Sequence, residues 1–104
     1  MTAIAVITTV ANRKEARALA RALVEAKLAA CAQITRIESI YPWKGAIEHG
    51  KEYRVLFKTL DDLYPAVERA IRELHSYELP AIHAFAFQHV APAYAAWIEE
   101  NVAA

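Results

Sequence analysis

CAQITRIESIYPWKGAIEHGKEYRVLFKT, the stretch from Cys31 to Thr59, decides the fold of this chain. Two runs rich in β-branched and aromatic residues flank Gly45, and glycine allows the backbone angles that a tight reversal requires. The stretch therefore predicts one long β-hairpin. Each arm extends to about ten residues, whereas an ordinary strand has roughly 5–6, so we expect part of the hairpin to project beyond its own domain. A projecting ribbon has two unpaired edges, which favours association with a partner.

The two arms of the hairpin differ in how apolar and polar residues alternate. In the first arm Ile34 and Ile37 fall on opposite faces, and this slip predicts a β-bulge near Thr35 and Arg36. The second arm alternates cleanly, so we expect one face to be apolar and the other to meet water or another subunit. The apolar face carries Tyr53, Val55 and Phe57, and the other face carries Glu52, Arg54, Leu56 and Lys58.

Hydrophobic periodicity places the other elements around the hairpin. Residues 3–10 are typical of a central strand, and a helix begins after Asn12, where Glu15 gives a pattern close to a capping box. A second helix begins at Asp61 and Asp62 and ends before Leu79-Pro80. A buried strand from Ile82 to Val90 and a helix opened by Pro92 follow. The apolar stripes of the three helices are Ala16, Leu19, Ala20, Leu23 and Val24; Leu63, Val67, Ala70, Ile71 and Leu74; and Tyr94, Trp97 and Ile98.

The order β-α-β-β-α-β, followed by a further helix, predicts an α+β fold. We expect a ferredoxin-like sandwich with a long central β-hairpin and an extra C-terminal helix, in a single domain covering residues 1–104. Right-handed crossovers put the first two helices on one face of the sheet. The opposite face is also apolar, so we expect another subunit to cover it.

Composition bears on the class of partner and on the compartment. Twelve Lys and Arg balance twelve Asp and Glu, so nothing in the overall charge favours nucleic acid or an anionic membrane as a partner. Apolar residues make up 57% of the chain, above the usual 45–50% or so, which favours an oligomer. The single cysteine excludes an intramolecular disulfide and fits a reducing compartment. With no apolar run of about 20 residues, we expect a cytoplasmic protein without a membrane span.

Several stretches together resemble the divalent-cation tolerance (CutA) family. They span nearly the whole chain in the family's order and are Thr8-Thr9, residues 27–31 (KLAAC), residues 39–45 (SIYPWKG) with Glu48 and Glu52, Lys58-Thr59, residues 75–80 (HSYELP), Tyr94 and Trp97. The resemblance implies a tight homotrimer in which long hairpins pair between neighbours, similar in architecture to the PII signalling proteins. It also implies a link to tolerance of copper and other divalent metal ions. No catalytic mechanism transfers with it, so we expect a protein that is not an enzyme.

The metal chemistry of this chain departs from part of that family. Members associated with copper carry a cysteine at the end of the first strand and two adjacent histidines after the second helix, where this chain has Thr8 and Leu74-His75. Copper favours imidazole and thiolate ligands, so His75, Cys31 and Glu78 are the candidate ligands for copper or another divalent cation. A hydrogen-bonding role for His75 and a packing role for Cys31 are the alternatives.

The resemblance also points to a cleft between subunits. Its candidate residues are Tyr41, Trp43, Glu48, Glu52, Lys58 and Tyr77. Trp43 at the hairpin tip is expected to pack on a neighbouring subunit, because aromatic residues are enriched at interfaces.

Two other functions compete with metal tolerance. The first is a PII-like module that binds a small anionic ligand between subunits, with charge from Arg13, Lys14, Lys44 or Lys58. The second is an RNA-recognition domain, since residues 51–57 place aromatic side chains on a central strand. The neutral net charge and the missing glycines of that RNA-binding signature disfavour the second function.

Overall fold

One antiparallel sheet forms the centre of the molecule, with strand order β2-β3-β1-β4. The structure is a computed structural model that describes residues 2–103, so positions 1 and 104 of the predicted domain lie outside the described residues. The ferredoxin-like α+β fold predicted from the sequence is confirmed. Its elements are β1 (Ala3–Val10), α1 (Arg13–Glu25), β2 (Cys31–Trp43), β3 (Ala46–Leu60), a 3-10 turn (Asp61–Leu63), α2 (Tyr64–Leu74), β4 (Ile82–Ala86) and α3 (Pro92–Glu100).

The start of α1 follows from its cap. The backbone N–H of Glu15 donates to Asn12 Oδ1 at 2.8 Å, as the capping pattern predicts. The carboxylate of Glu15 does not complete a capping box. It accepts two contacts from Ser76 Oγ, at 2.8 and 2.9 Å, and so ties the first turn of α1 to the segment that follows α2.

Helices α1 and α2 cover one face of the sheet and form the main core. Phe57, Val6 and Ile71 are fully buried there, together with most of the predicted apolar stripe of α1. Val24 is the exception, since 38% of it stays exposed. The sheet ends at β2, so nothing beyond that edge covers the side chain. The stripe prediction was therefore wrong at Val24, and it was also wrong at Leu74, the exposed last residue of α2.

The long hairpin is confirmed, but the predicted bulge near Thr35 and Arg36 is wrong. The ladder runs without interruption from Cys31 opposite Lys58 to Trp43 opposite Ala46. The turn consists of Lys44 and Gly45, both with positive φ (50° and 84°), which is the geometry of a two-residue hairpin turn.

The slip in the hydrophobic pattern marks the place where the hairpin leaves the sheet. β1 pairs with β3 only as far as Val10 opposite Tyr53, so residues 37–43 and 46–52 have no further strand beside them. We call these two segments the distal ribbon. Because neither of its faces lies on the chain's own core, alternation is not enforced there. The distal ribbon projects for roughly 24 Å at about 3.4 Å per residue.

β4 is an exposed edge strand, not the buried strand predicted from Ile82 to Val90. It ends at Ala86, and Phe85 is 60% exposed. Its apolar composition indicated burial on both faces, but in one chain no element lies beyond it. Helix α3 covers only one end of the second sheet face, where Ile98 and Val102 pack with Ala3 and Leu60. Among residues 2–103, no helix has both the length and the apolar character needed to cross a bilayer.

Candidate functional site

The segment between α2 and β4, residues 75–81, is held against the end of β1. His75 Nε2 lies 2.8 Å from the backbone oxygen of Thr9, and the N–H of Tyr77 donates to His75 Nδ1 at 3.0 Å. A carbonyl can only accept, so Nε2 carries the proton and Nδ1 is the acceptor. Both ring nitrogens of His75 are therefore engaged within the chain. We call residues 75–81 the anchored loop.

A second contact joins the anchored loop to the base of the distal ribbon. Tyr77 Oη donates to Glu52 Oε2 at 2.6 Å. Burial raises the pKa of the Tyr77 phenol well above its ordinary value, and the hydrogen bond that it donates to the Glu52 carboxylate raises this pKa further. Glu52 itself is only 7% exposed. The expectation that this face of β3 meets water or another subunit was wrong at Glu52, because the chain's own loop covers it.

A groove of about 800 Å³ lies between the distal ribbon and the anchored loop. We call it the ribbon-loop groove. Its walls include Tyr41, Pro42 and Trp43 from the ribbon, Tyr77, Glu78 and Leu79 from the loop, and Glu52 at the base. At the rim, Lys44 Nζ lies 3.5 Å from Glu78 Oε2 and 5.6 Å from the centroid of the Trp43 ring. The groove thus combines aromatic surface with two carboxylates.

Four of the six predicted cleft residues meet in this groove: Tyr41, Trp43, Glu52 and Tyr77. Glu48 pairs with Tyr41 in the ladder, but its side chain does not line the groove. Lys58 lies elsewhere, since its Nζ donates to Tyr94 Oη at 3.0 Å beside α3. That hydrogen bond raises the pKa of Lys58, while burial lowers it.

The three predicted metal ligands are not brought together within one chain. Cys31 is a half-buried free thiol opposite Lys58. His75 lies beside Thr9, which pairs with Arg54 on β3. Cys31 pairs with Lys58 on the same strand, four residues farther along, so roughly 14 Å of β3 separates the two candidate ligands. Glu78 is exposed beside Lys44. Across residues 2–103 no three His, Cys, Asp or Glu side chains are placed to hold a metal ion.

The cations proposed for an anionic ligand are also dispersed. The Arg13 guanidinium lies 5.6 Å from the centroid of the Tyr53 ring, on the helix side of the sheet. Lys58 lies on the opposite side beside Tyr94, and Lys44 is at the hairpin tip. Within one chain these charges do not form a common anion site.

Sequence reasoning missed the contacts that fix the anchored loop. The carboxylate of Glu15 and the carbonyl of Thr9 each receive a donor from the loop, although more than sixty residues separate the partners. The only signal was the polar composition of residues 75–78, which indicated an irregular turn without indicating its partners.

Comparison with known proteins gives a consistent result. A family model described as CutA1 divalent ion tolerance protein matches residues 4–101. The mouse protein CutA is 39% identical over 97 residues, which cover 92% of this chain and 55% of the mouse protein. The divalent-cation tolerance protein CutA of Thermotoga maritima is 36% identical over 99 residues, which cover 95% of this chain and 98% of that protein. The chain thus spans about half the length of the mouse relative and nearly all of the bacterial one.

Solved structures show the same relationship. CutA1 from Pyrococcus horikoshii superposes with a TM-score of 0.94 at 32% identity, covering 97% of this chain and 99% of that chain. CutA from Synechococcus elongatus gives a TM-score of 0.95 at 35% identity, covering 98% and 91%. A protein from Archaeoglobus fulgidus, described as a periplasmic divalent cation tolerance protein, gives 0.95 at 32% identity, covering 97% and 99%.

Proposed function

The chain belongs to the CutA1 divalent ion tolerance family, and we propose that it acts as a homotrimer in tolerance of divalent metal ions, copper among them. The observation that carries the proposal is the family match over residues 4–101. The relatives that carry this name are described as tolerance proteins and not as enzymes. We therefore propose a role that involves no catalysed reaction.

The distal ribbon supports the proposed self-association. Ile40 is 69% exposed and Ile47 is 71% exposed, and both lie on a ribbon with unpaired edges. Unpaired strand edges offer backbone groups for pairing with another chain. Exposed apolar side chains beside those edges favour the same association, because it removes them from water. Contacts between different surfaces of neighbouring copies close into a ring when the rotation fits, as in a trimer.

Metal binding by this chain is proposed to be direct but weak. A tight copper or zinc site needs three or four converging ligands, and the described residues of one chain do not provide them. Exposed ligands such as Glu78, with Cys31 or histidines contributed by other subunits, would hold a divalent ion loosely. His75 could join them only if its hydrogen bonds to Thr9 and Tyr77 were broken.

The trimer is tested by light scattering coupled to size exclusion. Three chains of 11.6 kDa give an expected mass of about 35 kDa. Ile47→Lys is expected to release monomers, because it places a charge on the apolar ribbon. Leu74→Lys, at an exposed apolar residue on α2, is the matched control and should leave the mass unchanged. A monomeric wild-type chain at micromolar concentration would contradict the proposal.

The role in tolerance is tested by complementation. A strain that lacks its own CutA protein should recover growth in copper when it expresses this chain, and Ile47→Lys should restore less growth. A copper titration in competition with a weak chelator measures direct binding. Failure to restore growth, with the trimer intact, would contradict the functional part of the proposal alone. The cytoplasmic location stays a prediction that fractionation of the source cells would test.

A further inference from the structure

We propose that the distal ribbon of each subunit lies across the second sheet face of its neighbour, which is the side of the sheet away from α1 and α2. Glu48 of one copy pairs there with Arg54 of the next. The inference rests on the proposed trimer and adds which surfaces meet and which charges align them. The partner that fits this surface is a second copy of the chain, bound head to tail.

Strand register places Glu48 and Arg54 on one face of the hairpin. Val55 and Phe57 of β3 are fully buried in the core beneath α1 and α2. Side chains alternate along a strand, so the even-numbered residues of β3 point to the opposite side. That side is the second sheet face where β1 lies next to β3, and it continues outward as one face of the distal ribbon.

The two halves of this face carry opposite charge. In the sheet, its strand residues include the cations Arg54 and Lys58 and no carboxylate. In the distal ribbon, its only charged residues are Glu48 and Glu52. Tyr77 already donates to the buried Glu52, whereas Glu48 and Arg54 are both exposed and neither forms an ion pair within residues 2–103. The ribbon of one copy is therefore complementary in charge to the sheet of another.

An ion pair between Glu48 and Arg54 can only join two copies. Both residues lie on β3, and roughly 20 Å of extended strand separates them within one chain. The lengths of the two surfaces also match. The distal ribbon projects for roughly 24 Å, and β1, which pairs with β3 from Ala3 to Val10, is about as long. A ribbon laid along this face therefore covers most of it.

Apolar side chains accompany the charges on both halves of the face. The ribbon half carries Tyr41 and Trp43, and the sheet half carries Phe85, and all three are exposed in one chain. Contact between copies removes these side chains from water. The same contact covers Arg54, and burying an arginine without a partner is costly. The carboxylate of Glu48 from the neighbouring ribbon offsets that cost.

The test is a charge exchange, read by light scattering of the full chain over a dilution series, with circular dichroism to confirm that each variant is folded. Glu48→Arg and Arg54→Glu should each raise the concentration at which the trimer dissociates by about tenfold or more, because like charges then face each other. The double variant restores opposite charges and should return this concentration to within about threefold of the wild type. Glu48→Gln and Arg54→Gln, which introduce no new charge, should weaken the trimer less and non-additively.

The matched controls lie on the helix layer. Arg69→Glu and Glu73→Arg make the same changes of charge at exposed positions of α2, and they should leave dissociation unchanged. Since Glu48 and Arg54 cannot meet within one chain, recovery in the double variant reports a contact between copies.

Three results would overturn this proposal and leave the trimer itself standing. They are no weakening in either charge reversal, additive weakening in the double variant, or equal weakening in the α2 controls. Stabilisation of the wild type by sodium phosphate over sodium chloride at equal ionic strength, lost in Arg54→Glu, would also overturn it, because Arg54 would then hold an anion instead of Glu48. A wild-type mass of about 23 kDa would contradict head-to-tail contact, and a monomeric wild type would contradict the proposed trimer as well.

Discussion

Tyr77→Phe is the most informative single substitution, because it removes one hydroxyl and leaves the ring in place. The hydroxyl donates to Glu52 at 2.6 Å, and Glu52 is 7% exposed, so the variant leaves a buried carboxylate without its donor. Hydrogen bonds to charged groups contribute about 1.5–3 kcal/mol. The groove lets water approach Glu52 from one side, so we expect a loss near the middle of that range, about 2 kcal/mol.

The assay is urea unfolding followed by circular dichroism, at one protein concentration so that assembly contributes equally. Tyr64→Phe is the matched control. Its hydroxyl donates to Glu68 at 3.0 Å within α2, where Glu68 remains partly exposed, so its loss should cost under about 1 kcal/mol. The cycle of Tyr77→Phe, Glu52→Gln and the double variant measures the coupling directly. Equal losses in Tyr77→Phe and Tyr64→Phe, or zero coupling, would refute the reasoning.

Three further predictions concern alkaline pH, the core and the turn. The folded state holds the pKa of Tyr77 above its ordinary 10.0, so its contribution to stability is complete below about pH 10 and is lost as pH rises further; unfolding titrations should show a shallower alkaline decline in Tyr77→Phe than in the wild type. Thr8 is fully buried, and its hydroxyl has no hydrogen-bond partner within residues 2–103, so Thr8→Val should stabilise the fold by about 1 kcal/mol and raise the urea midpoint. A lower midpoint would mean that the hydroxyl has a partner such as a buried water. Gly45→Ala should cost about 1–2 kcal/mol, because residue 45 has φ of +84°, whereas Gly50→Ala, also in open space on β3, should cost less; equal losses would contradict the turn geometry.

The elements that sequence reasoning predicted well are those that local periodicity determines. Residues 3–10 are almost continuously apolar and rich in β-branched side chains, as expected of a central strand that is covered on both faces. The Asn12 cap fixes the start of α1 whatever packs on the helix. Gly45 fixes the hairpin turn in the same way. Local pattern was therefore sufficient for the ferredoxin-like order.

Predictions that depended on neighbours were less successful. The slip between Ile34 and Ile37 predicts a bulge, but its cause is that β1 ends opposite Tyr53, the partner of Arg36 in the hairpin. Phe85 was expected to be buried because its strand is apolar, but the strand lies at the sheet edge. Periodicity describes a chain's own faces and does not show what lies opposite them.

The candidate site shows the same division. Tyr41 and Trp43 were grouped with Glu52 and Tyr77 through the family resemblance, and the structure brings these four together. Glu48 and Lys58 were placed in the same cleft, but within one chain neither lines the groove, and Lys58 donates to Tyr94. Side-chain charge alone does not indicate a partner, because many placements satisfy it equally well.

The uninterrupted ladder of the hairpin has a consequence for the order in which the chain folds. Its pairs can form outward from Lys44 and Gly45, each closing only a slightly longer loop than the one before. β1 and its partner β3 are separated in sequence by α1 and β2, so their pairing closes a long loop. β4, which pairs with the other edge of β1, lies still farther along the chain. Such distant pairings lose the most chain entropy and dominate the folding barrier. The hairpin can therefore be in place as a template when β1 docks, and substitutions at its turn should slow folding more than they speed unfolding.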